Sequence, residues 1–261
     1  MDLKLKGKTA VVTASSKGLG RAVAEQLAAE GANLLLCSRS GEAIAAAAEE
    51  IRNQYGVKVE SLAVDVSRKE DIQELIELAS AQFATVDALV CNAGGPPSGS
   101  FLSFDDAAWE QAFLGNMMSV VRLIRGFHPF LAKQGGRIVT IASTSVKMPI
   151  PGLVLSNTFR TGVVGLMKTL SIEFAKDGIL LNTVCPGRIM TDRIMELDSL
   201  KAERDNRTIE EVRETLSQDI PLGRYGEPHE LATIAAYLLS PLNSYMTGSV
   251  FYVDGGAVKS L

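Results

Sequence analysis

The sequence has few of the side chains that most often bind metals or form cross-links. It contains three cysteines and two histidines in 261 residues. Cys37, Cys91 and Cys185 are odd in number, lie far apart, and each follows an apolar residue. We interpret them as reduced, buried thiols of a cytoplasmic protein rather than as a disulfide framework. Because no paired cysteine spacing occurs, the sequence predicts no metal site.

An excess of charge of one sign is also lacking, and so are long hydrophobic runs. Lys plus Arg total 26 and Asp plus Glu total 30, so the net charge is -4, without a block of either sign. This balance argues against sequence-independent binding to nucleic acid or to an anionic membrane surface. The charged residues in the first ten positions and the polar residues after Val12 fit neither a signal peptide nor a membrane span.

The chain instead alternates short apolar runs with longer segments of helical period. We predict helices near 19–30, 41–54, 68–83, 105–131, 153–176 and 228–239. The predicted strands are Thr9–Thr13, Asn33–Ser38, Val57–Val64, Ala88–Cys91, Arg137–Ala142, Leu180–Val184 and Val250–Val253. This order predicts an α/β fold, a Rossmann-type doubly wound parallel sheet with helices on both faces. Since 46% of the residues are hydrophobic and no linker or repeat divides the chain, we expect a single domain over residues 1–261.

The segment 191–218 departs from this alternation because it is highly charged. Ile209, Val212 and Leu216 fall at i, i+3 and i+7, which favours an amphipathic helix in its later part. Two interpretations of the whole segment stay open. It is either a solvated excursion on the surface or a mobile lid over a pocket, since open α/β sheets bind ligands beyond the carboxyl ends of their strands.

A glycine-rich turn joins the first predicted strand to the first predicted helix. Its glycines allow the backbone to approach an anion, and the helix N-terminus offers unpaired N–H groups and a partial positive charge. A turn between a first strand and a helix is the usual context of a dinucleotide phosphate site. We therefore predict that the domain binds a dinucleotide through this turn, with contacts from Thr13, Ser15, Ser16, Lys17, Gly18, Leu19 and Gly20.

The residues at the end of the second predicted strand indicate which dinucleotide would bind. An acidic residue there would bind a free ribose 2′-hydroxyl, whereas an arginine suits a 2′-phosphate. The sequence has Ser38 and Arg39 at this point, with Lys17 on the glycine turn and no carboxylate. These residues favour NADP(H) over NAD(H). The alternative is that Arg39 and Lys17 are ordinary surface charges.

Further motifs follow in a fixed order: Asp65-Val66, Asn92-Ala93-Gly94, Asn116, Ile141-Ala142-Ser143, Pro186-Gly187 with Thr191, and Thr247-Gly248 before Val253-Asp254-Gly255-Gly256. With the glycine turn, they resemble the short-chain dehydrogenase/reductase family over residues 6–256, and its 3-oxoacyl-acyl-carrier-protein reductases in particular. The resemblance implies an oxidoreductase with a small-molecule substrate. It also implies a homotetramer built through two long helices and the last strand.

The resemblance implies cofactor contacts residue by residue. Asp65, beside Val66, would meet the adenine, and Asn92, Ala93 and Gly94 would line the adenosine ribose side. Pro186, Gly187 and Thr191 would flank the nicotinamide. In the glycine turn, Ala14 stands where the family usually has its first glycine. Alanine tolerates most backbone conformations except those with positive φ.

The catalytic residues that the resemblance implies are only partly present. The family uses a Tyr-x-x-x-Lys pair about a dozen residues after its serine, and Ser156 and Arg160 stand at these positions after Ser143. In the family mechanism the tyrosine gives a proton to the carbonyl oxygen as hydride arrives, and the lysine lowers the tyrosine pKa. A serine hydroxyl is a much weaker acid, and arginine does not deprotonate in proteins. Ser156 and Arg160 therefore do not run that relay unaided.

Four candidate catalytic residues remain, each with a structural alternative. Asn116 could anchor a water or only tie backbone groups in a helix. Ser143 could donate to an oxyanion or be only a turn residue. Ser156 could be a small residue without a role. Arg160 could hold the cofactor ribose, stabilise an oxyanion or be a surface charge.

Lys147 and Arg188 are the cations nearest to this site in the sequence. Either could donate a proton through water or bind an acidic substrate.

Three functions stay open at this point. The first is an NADP(H)-dependent oxidoreductase that reduces a carbonyl, such as a 3-oxoacyl thioester, with an atypical proton donor. The second is a cofactor-binding pseudo-enzyme with a sensing or assembly role. The third is an assembly surface that has lost both cofactor and catalysis. Loss of a positioned general acid lowers a rate about 10²- to 10⁴-fold without removing cofactor binding.

Overall fold

Seven strands form one sheet in the computed structural model, which describes residues 2–260. They are β1 (Thr9–Thr13), β2 (Asn33–Ser38), β3 (Val59–Ala63), β4 (Ala88–Cys91), β5 (Arg137–Ile141), β6 (Leu180–Pro186) and β7 (Val250–Val253). The order across the sheet is β3-β2-β1-β4-β5-β6-β7, and every neighbouring pair is parallel. The predicted α/β class with a parallel sheet is therefore confirmed.

Helices cover both faces of this sheet. They are α1 (Gly18–Ala29), α2 (Gly41–Tyr55), α3 (Lys69–Gln82), α4 (Asp106–Phe113), α5 (Ser119–Leu131), α6 (Val154–Glu173), α7 (Asp192–Asp205), α8 (Ile209–Gln218) and α9 (Pro228–Leu239). One core lies beneath α1, α2 and α9, and the other lies beneath α3, α5 and α6. Val12 of β1 contributes to the first core and Val11 to the second. Because both faces are covered, consecutive strand residues are apolar.

The strand order creates a crevice at the carboxyl ends of β1 and β4. The chain builds the sheet outward from β1 to β3 on one side and from β4 to β7 on the other. At such a switch point the loops leaving the strands diverge, and ligands bind between them. Thr13 and Asn92 lie together at this point, since the Thr13 hydroxyl donates to the Asn92 carbonyl oxygen at 2.7 Å.

The long helix predicted over 105–131 is interrupted. It consists of α4, a π-helical turn at Leu114–Met118, and α5. A π-helical turn spaces its hydrogen bonds five residues apart and is frequent at functional sites. The predicted continuous helix is thus wrong at Leu114–Met118. Asn116, a candidate catalytic residue, lies within this turn.

The charged segment 191–218 forms two helices. The amphipathic helix predicted in its later part is confirmed as α8, which begins with a capping box between Thr208 and Glu211. Helix α7 was not predicted, because it is polar on nearly every side and buries only Asp198 and Ala202. None of the helices within residues 2–260 combines the length and the apolar character that crossing a bilayer requires.

Candidate active site

The turn after β1 bends sharply because two of its residues have positive φ angles. Ala14 has a φ of 48° and Gly18 a φ of 61°. The alanine that departs from the family pattern therefore lies in the left-handed region, which costs an L-residue about 1–2 kcal/mol. Gly20 packs so closely that an added Cβ would lie 2.4 Å from the Ala14 carbonyl oxygen. A side chain at position 20 would therefore displace the turn.

Helix α1 begins at this turn with an open N-terminus. Lys17 is the N-cap residue, but its side chain caps no backbone N–H, and the first turn of α1 has no acidic residue. Ser16, Gly18 and Leu19 are half-buried beside it. The unpaired N–H groups and the helix dipole are therefore left for an anion. This arrangement fits the diphosphate of a dinucleotide.

Thr13 and Ser15 support the turn from inside the protein. Both side chains are fully buried. The Ser15 hydroxyl donates to the Val12 carbonyl oxygen at 2.9 Å, and the Thr13 hydroxyl accepts the N–H of Asn92 at 2.9 Å. The Asn92 side chain in turn donates to the Ala14 carbonyl oxygen at 3.2 Å. Because these hydroxyls are used internally, Thr13 and Ser15 could contact a cofactor only through their backbone.

The two cations predicted to favour a 2′-phosphate have different surroundings. Arg39 follows β2 and is exposed. Lys17 reaches across to α7, where its Nζ lies 2.8 Å from Asp192 Oδ2. Both members of this pair are mostly exposed, at 74% and 60% of their side chains, so the pair is weak and a ligand phosphate could compete for the lysine.

The loops after β3 and β4 carry the next predicted cofactor residues. Asp65 Oδ1 accepts the N–H and the hydroxyl of Ser67 at 2.9 and 2.8 Å, which fixes this loop. Val66 is half-buried next to it. After β4, Ala93 is half-buried and Gly94 is exposed.

Asn116 has one amide atom without a partner. Its side chain is 8% exposed, and its Nδ2 donates to the Ala112 carbonyl oxygen at 3.2 Å. Its Oδ1 is buried and accepts no hydrogen bond from residues 2–260. An unpaired buried acceptor is costly, so a water or ligand donor is expected there.

A small cavity lies against the last residues of β4 and β5. Its lining combines the predicted residues Asn92, Ala93, Asn116 and Arg160 with Cys91, Ser119, Val120, Leu123, Thr140, Ile141, Ala142 and Val163. Its volume of about 20 Å³ has room for a single water. Asn116 Oδ1 could accept from that water and the Arg160 guanidinium could donate to it. The cavity therefore fits the predicted role of Asn116 as a water anchor.

Arg160 is half-buried, and hydrogen bonds tie its guanidinium to the protein. Its Nη1 donates to the carbonyl oxygens of Ile141 and Ala142 at 2.9 and 3.0 Å. Burial lowers the pKa of its guanidinium. The arginine thus fixes the end of β5 with one nitrogen and keeps its remaining donors for other partners.

Ser143 and Ser156 are not part of the cavity lining. The Ser143 hydroxyl accepts the N–H of Ser145 at 3.1 Å and starts a short 3₁₀ turn, yet its own O–H stays available to donate. Ser156 lies in the first turn of α6 and is 8% exposed. Its hydroxyl forms no hydrogen bond with another side chain or backbone group of residues 2–260, so it too is available as a donor.

The predicted nicotinamide-flanking residues lie where β6 leads into α7. Pro186 ends β6, and a Cβ on Gly187 would lie 2.7 Å from Asp254 Cβ, so the glycine permits a close approach of two loops. Thr191 is the N-cap of α7, and its side chain accepts a backbone N–H of the first turn. A Cβ on Gly18 would lie 3.9 Å from the Thr191 side chain. The start of α7 therefore faces the glycine turn.

A buried carboxylate that the sequence did not indicate holds α7 in place. The Asp198 side chain is fully buried, and its Oδ1 lies 2.8 Å from Arg188 Nη1. Its Oδ2 lies 3.4 Å from Arg213 Nε on α8, and the Tyr225 hydroxyl donates to Oδ1 at 3.3 Å. Arg188, considered from sequence as a proton donor or acid-binding residue, is therefore committed to Asp198. No motif or spacing in the charged segment indicates this cluster.

Comparison with known proteins finds relatives over nearly the whole chain. Residues 13–258 match a family model described as enoyl-(acyl carrier protein) reductase. The 3-oxoacyl-[acyl-carrier-protein] reductase of Aquifex aeolicus is 35% identical over 98% of this chain and 99% of its own length. Dehydrogenase/reductase SDR family member 4 of Caenorhabditis elegans is 34% identical over 99% and 98%. The L-sorbose reductase of Gluconobacter frateurii, solved with NADPH and L-sorbose, superposes with a TM-score of 0.96 at 32% identity, covering 100% of both chains.

Proposed function

Because the chain belongs to the short-chain dehydrogenase/reductase family of oxidoreductases, we propose that it reduces the carbonyl group of a small molecule with NADP(H). The observation that carries this proposal is the crevice between β1 and β4. There the strained glycine turn and the open N-terminus of α1 face Thr191 at the start of α7. A diphosphate at this helix end would have the backbone N–H groups that it needs.

The choice of NADP(H) over NAD(H) rests on Arg39. It follows β2 directly after Ser38, at the place where the ribose of a dinucleotide lies in this fold. Arginine binds phosphate through several parallel hydrogen bonds, and no carboxylate stands there to prefer a free hydroxyl. The L-sorbose reductase that the chain resembles was solved with NADPH, which supports the same choice.

We assign the residues that would hold the cofactor as the family resemblance implies. The glycine turn would bind the diphosphate, Arg39 the 2′-phosphate, Asp65 and Val66 the adenine, Asn92–Gly94 the adenosine ribose, Arg160 the nicotinamide ribose, and Pro186, Gly187 and Thr191 the nicotinamide. A bound nicotinamide supplies hydride to the carbonyl carbon of the substrate. The residues of the chain must then hold the carbonyl oxygen and deliver a proton to it.

Two serine hydroxyls would serve that task. Ser143 and Ser156 both keep an O–H that is free to donate to a carbonyl oxygen. Because a serine hydroxyl is a weak acid, Ser156 would pass on a proton from water rather than ionise itself. Arg160 would supply a fixed positive charge as negative charge develops on the oxygen, and Asn116 would hold the water in the cavity beside it.

This arrangement should be slower than one with a positioned tyrosine. A general acid of suitable pKa contributes about 10²- to 10⁴-fold to the rate, and a water relayed by serine replaces it only in part. We therefore expect slow but measurable reduction, with 3-oxoacyl thioesters the first substrate class to test.

The experiment that tests the proposal restores the missing pair. NADPH absorbance is followed with 3-oxoacyl thioesters, ketones and quinones for the natural protein and for Ser156→Tyr with Arg160→Lys. We expect slow turnover by the natural protein and an increase of about 10²-fold or more in the double variant. Thr158→Tyr with Arg160→Lys is the matched control, because Thr158 lies on the exposed side of the same helix. Absence of turnover by the natural protein, with bound NADPH confirmed by calorimetry, would contradict the proposal.

A cofactor-binding pseudo-enzyme is the second candidate function. It is favoured by the two hydrogen bonds that hold Arg160 to the carbonyl groups of Ile141 and Ala142 at the end of β5, since a side chain so engaged can have a purely structural role. In this case the natural protein would bind NADPH without turnover, and only the double variant would reduce substrates. If the natural protein is fast and the double variant slower, Ser156 and Arg160 instead serve a chemistry of their own.

We also propose a homotetramer in the cytoplasm. Phe101, Trp109, Phe113 and Phe159 form a chain of ring contacts with centroids 5.8–6.0 Å apart, and Phe101 is 65% exposed. Such a patch along α4 and α6 suits association of copies through helices. Strand β7 at the edge of the sheet offers a second contact. The three free, buried cysteines are consistent with a reducing compartment.

A further inference from the structure

A cavity of about 180 Å³ lies at the end of the sheet opposite to the candidate active site. Lys8 and Asp87 come directly before β1 and β4, and Arg137 is the first residue of β5. Because the strands are parallel, their amino ends meet at this edge, whereas the cofactor crevice lies at their carboxyl ends. The lining also contains Leu5, Gln134, Gly135, Leu239 and Pro241.

The carboxylate of Asp87, the acid among the described residues of this lining, is fully used. Its Oδ1 accepts from Lys8 Nζ and Gln134 Nε2, both at 2.9 Å. Its Oδ2 accepts the N–H of Thr9 at 2.9 Å and the Thr85 hydroxyl at 3.4 Å. Since an ionised carboxylate has about four acceptor sites, none is left for another cation.

Arg137 is a half-buried cation that forms no ion pair with any of residues 2–260. Its Nη1 and Nη2 donate to the carbonyl oxygens of Gly135 and Asn243 at 3.0 and 3.1 Å. Its Nε is buried and has no acceptor in the same part of the chain. Burial lowers the pKa of the guanidinium more than the charge of Asp87 raises it. A guanidinium has five N–H donors, so Arg137 has a charge and donors left for a ligand.

The composition of the lining defines the kind of ligand that fits. Its two cations outnumber its one acid, which favours an anion. Leu5, Leu239 and Pro241 provide an apolar part. A cavity of about 150 Å³ is enough for a benzene-sized molecule, so this one has room for more than an inorganic ion.

We propose that this cavity is a second ligand site, which binds a small organic carboxylate of about the size of benzoate. The carboxylate would accept from Arg137, beside Lys8, and the apolar part would pack against Leu5, Leu239 and Pro241. Arginine binds carboxylates through charge-assisted hydrogen bonds, which are stronger than those between neutral groups. The site is independent of the proposed function, because it shares no residue with the cofactor crevice.

Calorimetric titration with benzoate and isobutyrate tests the proposal. Each acid is compared with its uncharged amide, benzamide or isobutyramide, and the titrations are repeated with saturating NADP⁺. Gln134→Lys and Gln134→Glu change the charge beside the cavity at an exposed position, where the fold should tolerate both. Gln73→Lys and Gln73→Glu are the matched controls, because Gln73 is also exposed and also donates to a carboxylate, that of Glu77.

We expect at least one acid to bind at least about tenfold more tightly than its amide. Gln134→Lys should tighten acid binding about threefold and Gln134→Glu should weaken it about threefold, whereas the Gln73 variants should stay within about twofold. Arg137→Gln should remove the preference for the acid, with thermal unfolding as the check that this variant is folded. Saturating NADP⁺ should leave the affinity for the acid unchanged.

Three results would overturn the proposal. The first is equal affinity for acids and amides, or no saturable binding of either acid up to about 50 mM, which would leave the cavity to water. The second is Gln134 variants that bind the acids as the Gln73 variants do. The third is competition between NADP⁺ and the acids, which would place the acids in the cofactor crevice. Failure to bind NADPH at all would contradict the proposed function but leave the first two comparisons valid.

Discussion

Replacement of Ala14 by glycine should stabilise the protein. Ala14 has a φ of 48°, and the conformation is enforced from two sides. Its carbonyl oxygen accepts the Asn92 side chain at 3.2 Å, and Gly20 packs directly against it. An L-residue in this region costs about 1–2 kcal/mol, which glycine avoids. Glycine also loses about 0.4–1 kcal/mol more backbone entropy on folding, so the expected net gain is about 0.5–1 kcal/mol.

Thermal and urea unfolding measure this gain. For a chain of this length, about 0.5–1 kcal/mol corresponds to a rise in Tm of about 1–4 °C. The matched control is Ala45→Gly at an exposed position within α2, where the same chemical change should cost about 0.8–1 kcal/mol. If Ala14→Gly lowers stability as much as Ala45→Gly does, the turn stores no strain and the reasoning is refuted.

Two further predictions concern charged groups. Asp198→Asn should lower the free energy of unfolding by about 2–3 kcal/mol, because it leaves Arg188 and Arg213 without their shared counter-charge. This loss is smaller than for a fully buried ion pair, because both arginines are partly exposed. Urea unfolding checks it, and a loss under about 0.5 kcal/mol would contradict it. Hydrogen bonds from Arg224 lower the pKa of Glu230 to about 2, so this group contributes stability above its ordinary pKa and loses it as pH falls from 4.5 towards 2. Arg224→Gln should therefore be less stable than the natural protein at pH 7, and the difference should shrink as pH falls below 4.5 and vanish only below the folded pKa of about 2, as unfolding measured across this range would show.

The strands and the glycine turn could be predicted because their signals are local. Apolar runs such as Leu34–Leu36 follow directly from burial on both faces of a parallel sheet. The turn is marked by glycines between a strand and a helix, so its position needs no tertiary information. Strand β3 is shorter than predicted, at Val59–Ala63, since element ends depend on pairing with β2.

Other features depend on contacts between distant segments. Helix α7 has no clear apolar stripe, because the group it buries most deeply is the charged Asp198. The π-helical turn at Asn116 has no sequence signal that separates it from a continuous helix. The direction of Arg160 is set by carbonyl oxygens that lie 18 and 19 residues earlier in the chain. The residue types at the site were thus predictable, but not their partners.

The partner of Lys17 is another contact that the sequence alone does not indicate. The sequence places this lysine on the glycine turn, where a phosphate is expected, but Asp192 lies 175 residues away and is its partner in the structure. Since the pair is exposed, a ligand phosphate could replace it. Lys17 therefore either binds the phosphate of a ligand or stays paired with Asp192, and ligand binding decides between the two.

We propose that the site binds NADP(H) although Ser156 and Arg160 stand where the family resemblance implies tyrosine and lysine. Calorimetric titration of the natural protein with NADPH and NADH tests it most directly. We predict a micromolar dissociation constant for NADPH and binding of NADH that is at least about tenfold weaker, because only NADPH carries a ribose 2′-phosphate for Arg39 to bind. An Arg39→Gln variant should lose this preference. No heat of binding for either nucleotide at millimolar concentration would contradict the claim.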